Sequence, residues 1–425
     1  MSGSAARAAA SPEASPMNSR RQDLVVILDA PELGEARPVG VLTRWPGVIL
    51  SVAFQYARSW LDDVDRNFPI DPALPLSEAQ YTVPGRRVPG IFADTAPDKW
   101  GEALMVRREG RELDAWEFLV GVADETRMGA LRLRRGVNGP FIADREPAVP
   151  PITRLRELQA MARQFEDDPN SISSSEIALL VAPGSSLGGA RPKANYVAPD
   201  GSLWIAKFPS KTDRRDVAAW EHVYANLARA AGIEVAETDV ITVVGPMRTF
   251  ATRRFDRTVA GRRLYASAMT MTGRTDTVGA DYVDIVQAVT DHVGPDHVRE
   301  DLLQLYRRMT FNVLAGNRDD HLRNHGFLRH ADGWRLAPAF DINPAREMRE
   351  HATAVNGKVA SPDARDVLDV RSFFGLTEKA AESVIAEVAG AVSHWRTMAS
   401  SVGIDHREQD QVAVALSALP SAATL

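Results

Sequence analysis

The stretch GNRDDHLRNHGF, Gly316 to Phe327, constrains this chain more than any other part of it. It reads as a short polar loop between two apolar runs, FNVLAG before it and WRLAPAFDI after it. The loop carries Asp319 five residues ahead of Asn324, and Asp341 closes the following apolar run, 22 residues past Asp319. Two carboxylates and an amide presented this way suit phosphoryl transfer. One carboxylate orients an attacking hydroxyl and accepts its proton, while the amide oxygen and the second carboxylate hold Mg²⁺ against nucleotide phosphates.

The Asp-x-x-x-x-Asn spacing matches a protein-kinase catalytic loop, and Asp341 stands where a DFG-type aspartate would. Groups that would hold the phosphates lie upstream in the matching order. GSSLGGARPKANYV, Gly184 to Val197, reads as a flexible glycine loop entering a strand. Gly188 and Gly189 lack a Cβ, so backbone N–H groups there can approach an anion closely. The segment is neither a Walker A loop nor G-x-G-x-x-G. A turn at Pro199-Asp200-Gly201 separates two apolar strands and predicts a β-hairpin. Its second strand, in SLWIAKFPS, ends in Lys207, where a kinase keeps the cation for its α/β-phosphates. Glu221, Glu234 and Glu237 compete to be the helix glutamate that pairs this lysine. Glu221, within VAAWEHVYANLARAAG, is best placed, against the alternative of a solvated helix carboxylate.

Six segments in order carry a resemblance to a known family: SSLGGARPKA, WIAKFPS, WEHVYANLARAAGI, RRFDR, GNRDDHLRNHGF and LAPAFDINP. Weaker similarity extends upstream through FADTAPDKWG and DETRMGALRL. The chain resembles the HipA-like serine/threonine kinases, bacterial toxins of type II toxin–antitoxin pairs. The resemblance implies ATP and Mg²⁺ as cofactors, with Asp319 the catalytic base and Asn324 and Asp341 the metal ligands. It further implies that Lys207 pairs the phosphates beneath a loop that includes Gly188, Gly189, Ala190, Arg191 and Lys193. Phe255 would pack on the adenine near the hinge, and His321 and Arg323 would line the nucleotide site. Ser186, with Ser185 as the neighbouring alternative, aligns with a serine that is autophosphorylated in the family. A dianion there would repel ATP and destabilise the loop's bound form. Implied partners are a protein substrate, which in the family includes aminoacyl-tRNA synthetases, and a small DNA-binding antitoxin encoded nearby. Contact with DNA would be indirect.

This chain departs from some relatives at Arg191, where they carry glutamine, and at Arg253, where they carry an acidic residue. Asp320 stands beside Asp319, and adjacent carboxylates raise one another's pKa. Asp319 keeps the role of base because only it has the step to Asn324. Each residue also has a plainer reading: Lys207 as a snorkelling strand end, Asp341 as a turn aspartate, Asp319 and Asp320 as helix-capping acids. His321 and His325 have the spacing of zinc ligands, but without the H-E-x-x-H glutamate or a cysteine they do not suggest zinc. The joint order of the segments favours a protein kinase over a small-molecule kinase or a nucleotide-sensing module without catalysis.

With 425 residues, two or three domains are expected. The formal charge of −6 argues against a nonspecific grip on nucleic acid. Without cysteine there are no disulfides and no thiol chemistry. No apolar run approaches the length of a membrane span, and a cytoplasmic enzyme is expected. The expected fold is α+β and bilobal, protein-kinase-like. Residues 1–22 read as a disordered tail without a signal-peptide core, and 23–150 as a strand-rich N-terminal subdomain. Residues 151–257 form a small β-containing lobe with the glycine loop and lysine strand. Residues 258–425 form a helical large lobe, whose apolar residues recur at three and four positions. DKWGEALMVRREGRELDAWEFLVGVA reads as helical, and the Pro-rich REPAVPP, Arg145 to Pro151, as a linker.

Overall fold

The computed structural model describes residues 21–45, 51–82, 88–143, 149–181, 189, 191–345 and 347–416. Alternating apolar residues build the first sheet. Strands β1 (Gln22–Leu28), β2 (Arg37–Trp45), β3 (Ser51–Tyr56), β4 (Gln80–Tyr81) and β5 (Leu131–Arg134) pair antiparallel in the order β4-β3-β2-β1-β5. Leu24, Val26, Leu42 and Phe54 are buried on its inner face. Gln22, expected in the tail, is instead the first residue of β1 and accepts a hydrogen bond from Trp116 Nε1 at 2.8 Å.

Two short helices, α1 (Arg58–Leu61) and α2 (Gly90–Ala93), precede α3 (Lys99–Glu109) and α4 (Ala115–Gly121). The helical stretch expected here is broken in two. Gly110 takes a left-handed φ of 66° and ends α3, and Asp114 opens α4 with a capping box to Glu117. Helices α5 (Leu155–Asp167) and α6 (Ser174–Val181) then lead into a four-stranded sheet. Strands β6 (Lys193–Val197), β7 (Leu203–Lys207), β8 (Thr238–Ile241) and β9 (Thr249–Arg253) are ordered β6-β7-β9-β8, with α7 (Val217–Ala230) between β7 and β8 in the chain. Strands β6 and β7 form the expected hairpin around Pro199–Gly201. Helix α3 shares its core with this sheet. Trp100 and Leu104 pack with Phe165, Ile177, Tyr196 and Phe208, so the core crosses the Pro-rich linker rather than ending at it.

The rest is more mixed than its helical periodicity suggests. A hairpin of β10 (Arg257–Thr258) and β11 (Gly261–Arg262) leads to β12 (Tyr265–Ser267), which pairs with β13 (Gly326–His330) and β14 (Gly333–Leu336). Helices α8 (Ala268–Met271), α9 (Tyr282–His292) and α10 (Val298–Ala315) lie between β12 and β13. A second hairpin, β15 (Glu350–Val355) and β16 (Lys358–Ala360), precedes α11 (Ala364–Asp369), α12 (Glu378–Ser393), α13 (Trp395–Ser401) and α14 (His406–Val412). These strands are too short to show a period of two in sequence, yet they bracket the polar loop and Asp341. The architecture is α+β: a strand-rich N-terminal sheet, a small β-containing lobe and a mainly helical lobe.

Candidate active site

Strand β7 ends in Lys207, and α7 brings Glu221 to it. Asp216 caps α7 by accepting from Ala219 N at 3.0 Å, and Trp220, Tyr224 and Ala228 bury the same helix against the core. Glu221 thus arrives on a buried face, 3% exposed, with its Oε1 2.6 Å from Lys207 Nζ. The same ammonium donates to Asp341 Oδ1 at 2.7 Å. Burial alone would depress the lysine; Asp341 and Glu221 outweigh it and hold Lys207 well above its ordinary value. Burial pushes Asp341 up, but Lys207 dominates and holds it below the carboxylate norm, helped by Lys193 and His321. Asp341 also sits at φ 57°, a left-handed backbone that aspartate tolerates better than most residues and that is common where a side chain is aimed for function.

The polar loop begins where α10 stops, at Gly316, left-handed with φ 68°. Its two aspartates separate cleanly. Asp319 is exposed, whereas Asp320 is 1% exposed and bound on several sides. Tyr282 OH donates to Asp320 Oδ2 at 2.7 Å, and Thr353 Oγ1 donates to the Asp320 carbonyl at 2.7 Å. The chain continues inward: Asn312 Nδ2 donates to Tyr282 OH at 2.8 Å, and Asn317 Nδ2 to Asn312 Oδ1 at 3.0 Å. Asn343 N reaches Asn317 Oδ1 at 3.4 Å, so one network joins the polar loop to the loop of Asp341. Asp319 therefore faces solvent while Asp320 serves as an anchor. The Asp319 side chain keeps solvent access, but its carboxyl is partly hemmed in by the loop, and this partial desolvation raises it against the pull of His321; the charges of Asp341 and Asp320 raise it further.

Asn324 is buried and its Nδ2 donates back to the Asp319 carbonyl at 2.7 Å. Its Oδ1 has no partner among the described residues. A buried acceptor without a donor is costly, and an oxygen-seeking cation would satisfy it. Asn324 Oδ1 and the Asp341 carboxylate are oxygen donors of the kind Mg²⁺ takes. Among the described residues no cluster of three His, Asp or Glu forms a ready-made metal cage. His321 is half-buried with Nδ1 unpartnered, and Arg323 is exposed.

An apolar cleft lies beside Lys207, lined by Ile205, Ala225, Val235, Phe250, Thr252, Phe255, Ala339 and Ile342. Phe255 lines it while packing on Phe340 and Tyr265, with ring centroids 5.4 and 5.9 Å apart. Its neighbours in RRFDR are occupied elsewhere. Arg254 and Asp256 are fully buried against each other at 2.7 Å, and Arg254 donates to the Thr126 carbonyl at 2.7 Å. Arg253 pairs with Glu237 at 3.4 Å.

Two members of the expected loop set are already engaged. Arg191 makes a bidentate pair with Asp213, both bonds 2.7 Å, and Lys193 is buried in an ion pair with Asp98 at 2.6 Å. Gly189 takes the positive φ of 86° that favours glycine. Ser185, Ser186, Gly188 and Ala190 lie outside the described residues. The engagement of Lys193 by Asp98 and the Tyr282–Asn312–Asn317 network gave no sign in the sequence reading. No described helix is long and apolar enough to cross a membrane.

Lys207 paired to Glu221 and Asp341, with one hydrogen-bond network joining the Asp319–Asn324 loop to the loop of Asp341, sits here on a bilobal protein-kinase-like fold. Residues 33–134 match the HipA N-terminal domain and residues 185–395 the HipA-like C-terminal domain. The chain belongs to the HipA-like kinase family. It is 25% identical over 182 residues to a Haemophilus influenzae protein named as a kinase, covering 37% of this chain and 52% of that relative. The chain thus spans about half that relative's length. It is 22% identical over 325 residues to the serine/threonine-protein kinase toxin HipA of Shewanella oneidensis, 68% of this chain and 69% of that one. A solved complex of Shewanella oneidensis HipA with HipB and operator DNA has the same fold. Its matching chain gives a TM-score of 0.67 at 18% identity, with 93% of this chain and 95% of that chain covered.

Proposed function

We propose that this protein is an ATP- and Mg²⁺-dependent serine/threonine protein kinase of the HipA type. The observation that carries the reading is the convergence of Lys207, Glu221 and Asp341, with the unpartnered Asn324 oxygen on the neighbouring loop. Lys207, fixed by Glu221, neutralises nucleotide phosphates, and the apolar cleft with Phe255 takes the base. Mg²⁺, held by Asn324 and Asp341, would offset charge on the phosphates. Asp319, exposed at the loop's edge, accepts the proton of a serine or threonine hydroxyl. The hydroxyl oxygen bonds to the γ-phosphorus as the bond to ADP breaks. His321 and Arg323 flank that site. The proposed partners are a protein substrate and a small DNA-binding antitoxin, the latter by analogy with the HipA–HipB–DNA complex. Autophosphorylation at Ser186 or Ser185 is part of the same proposal.

Intact-mass spectrometry with peptide mapping tests this, after incubation of the full chain with ATP and Mg²⁺. A phosphate on Ser186 or Ser185 of the wild type, absent from Asp319→Asn, is the expected result. A phosphate that persists in Asp319→Asn removes Asp319 from its role. A wild-type chain that neither binds MgATP nor acquires phosphate refutes the kinase reading.

A further inference from the structure

Strands β6 and β7 place Lys193 directly opposite Lys207. Two lysines facing each other across an antiparallel ladder repel unless each has its own counter-charge. Lys207 has Glu221 and Asp341. Lys193 takes its carboxylate from outside the sheet, from Asp98 at the N-terminus of α3, a residue that lies 95 positions earlier in the chain. The pair is closed off from water, with side chains 1% and 6% exposed, at 2.6 Å. Asp98 is held in turn, since it caps α3 by accepting from Gly101 N at 2.8 Å. Two residues on, Trp100 Nε1 donates to the Lys193 carbonyl at 3.1 Å, while its ring packs edge-on against Phe165 at 5.2 Å. Thus α3 grips both the side chain and the backbone of Lys193.

Lys193 is the residue through which the glycine loop enters β6. Its ammonium also donates to the Gly189 carbonyl at 3.3 Å, tying the loop's exit to the same point. The same corner of the chain touches the other side of the cleft. Asp94 accepts from Ser267 N and Ser267 Oγ, both at 2.7 Å, on the strand that pairs with the end of the polar loop.

Resting on the kinase reading above, we propose that Asp98, assisted by Trp100, is a positioning residue for the nucleotide site. It holds Lys193 so that the glycine loop's exit and a fixed positive charge stand over the phosphate position. Helix α3, which precedes the Pro-rich linker in the chain yet packs on the small sheet, is then part of ATP binding.

The test is binding of a non-hydrolysable ATP analogue with Mg²⁺ to the full chain, alongside thermal unfolding, for Asp98→Asn, Trp100→Phe and the exchanged pair Asp98→Lys with Lys193→Asp. Losing a charge-assisted contact predicts roughly tenfold weaker binding for Asp98→Asn. Trp100→Phe removes the hydrogen bond to the Lys193 carbonyl together with part of the ring packed on Phe165, and predicts about threefold weaker binding. The exchanged pair restores opposite charges, but a lysine at 98 cannot accept from Gly101 N and an aspartate at 193 cannot donate to Gly189; unfolding temperature recovers in part and affinity does not. Recovery of both would show a structural tie only and overturn the proposal. So would unchanged affinity in Asp98→Asn, or in Trp100→Phe should Asp98→Asn fail to fold. A wild type that does not bind the analogue sinks the kinase reading itself, whereas a binding wild type with unaffected variants sinks only this inference.

Discussion

Removing one oxygen, by Tyr282→Phe, separates the role of Asp320 from that of Asp319. The ring is retained, so packing against His325, 5.5 Å away edge-on, is kept and no cavity opens. Burial, with Asp320 beside it, raises the Tyr282 phenol well above its ordinary value, so it is a neutral donor at any working pH. Without it, Asp320 Oδ2 loses a 2.7 Å bond and Asn312 Nδ2 loses its 2.8 Å acceptor, both in the interior. A hydrogen bond to a carboxylate contributes about 1.5–3 kcal/mol, and a buried amide left unpaired costs about 1–3 kcal/mol. Partial relaxation brings the expected loss to about 3 kcal/mol, and turnover should fall at least tenfold because the aspartate next to Asp319 loses its anchor. Tyr306→Phe is the control: Tyr306 is equally buried but donates only to the Val367 carbonyl at 3.1 Å. It should cost about 1 kcal/mol and leave turnover unchanged. Urea unfolding and turnover at saturating ATP read both. A Tyr282→Phe protein within 1 kcal/mol of wild type with normal turnover would refute the claim that this network positions the polar loop.

Asp256→Asn should cost about 3–5 kcal/mol by urea unfolding at neutral pH, because it strips Arg254 of its counter-ion where neither is exposed. Burial opposes the ionised form of Asp256, but Arg254 and Arg257 outweigh it and hold the carboxyl well below its ordinary 3.8. With the folded value depressed, that stabilisation is present above the unfolded value and lost as pH falls below it. The gap between wild type and variant should therefore stay level down to about pH 4 and narrow only below that. Glu221→Gln leaves Lys207 to Asp341 alone; we expect KM for ATP to rise about tenfold with a smaller change in turnover.

What was legible in the sequence was whatever sits close together along it. Asp319 and Asn324 share one loop, and Glu221 stands 14 residues past Lys207 in the first part of the next helix, near enough to be favoured over Glu234 and Glu237 but not to exclude a solvated carboxylate. Asp341 was legible because an apolar run must end where it stands. The anchors were not. Lys193 finds Asp98 across 95 positions, Arg254 finds the Thr126 carbonyl across 128, and Tyr282 finds Asp320 across 38. Nothing in a one-dimensional pattern distinguishes a lysine that awaits a phosphate from one that already has a carboxylate. Strands β12 to β16 escaped for another reason: at three to six residues each, they show no period against the helices around them.

Those long-range anchors decide what happens if the chain is cut. A fragment of residues 185–425 retains Lys207, Glu221, Asp319, Asn324 and Asp341, and a reading from motifs alone would expect it to bind ATP. It loses Asp98, leaving the Lys193 ammonium without its carboxylate. It loses the Thr126 and Arg127 carbonyls that accept from Arg254, while Asp256 loses the Gly129 N–H at 2.8 Å. It also uncovers the side of the small sheet that Trp100, Leu104, Phe165 and Ile177 cover. Uncovering that face alone forfeits about 1.5–3 kcal/mol for each large apolar side chain, so a few of them consume the 5–15 kcal/mol by which a domain is ordinarily stable. The fragment should therefore lack a cooperative thermal transition and bind the ATP analogue at least a hundredfold more weakly than the full chain. Cooperative unfolding with wild-type affinity in the fragment would show that the N-terminal half is not needed to build the site.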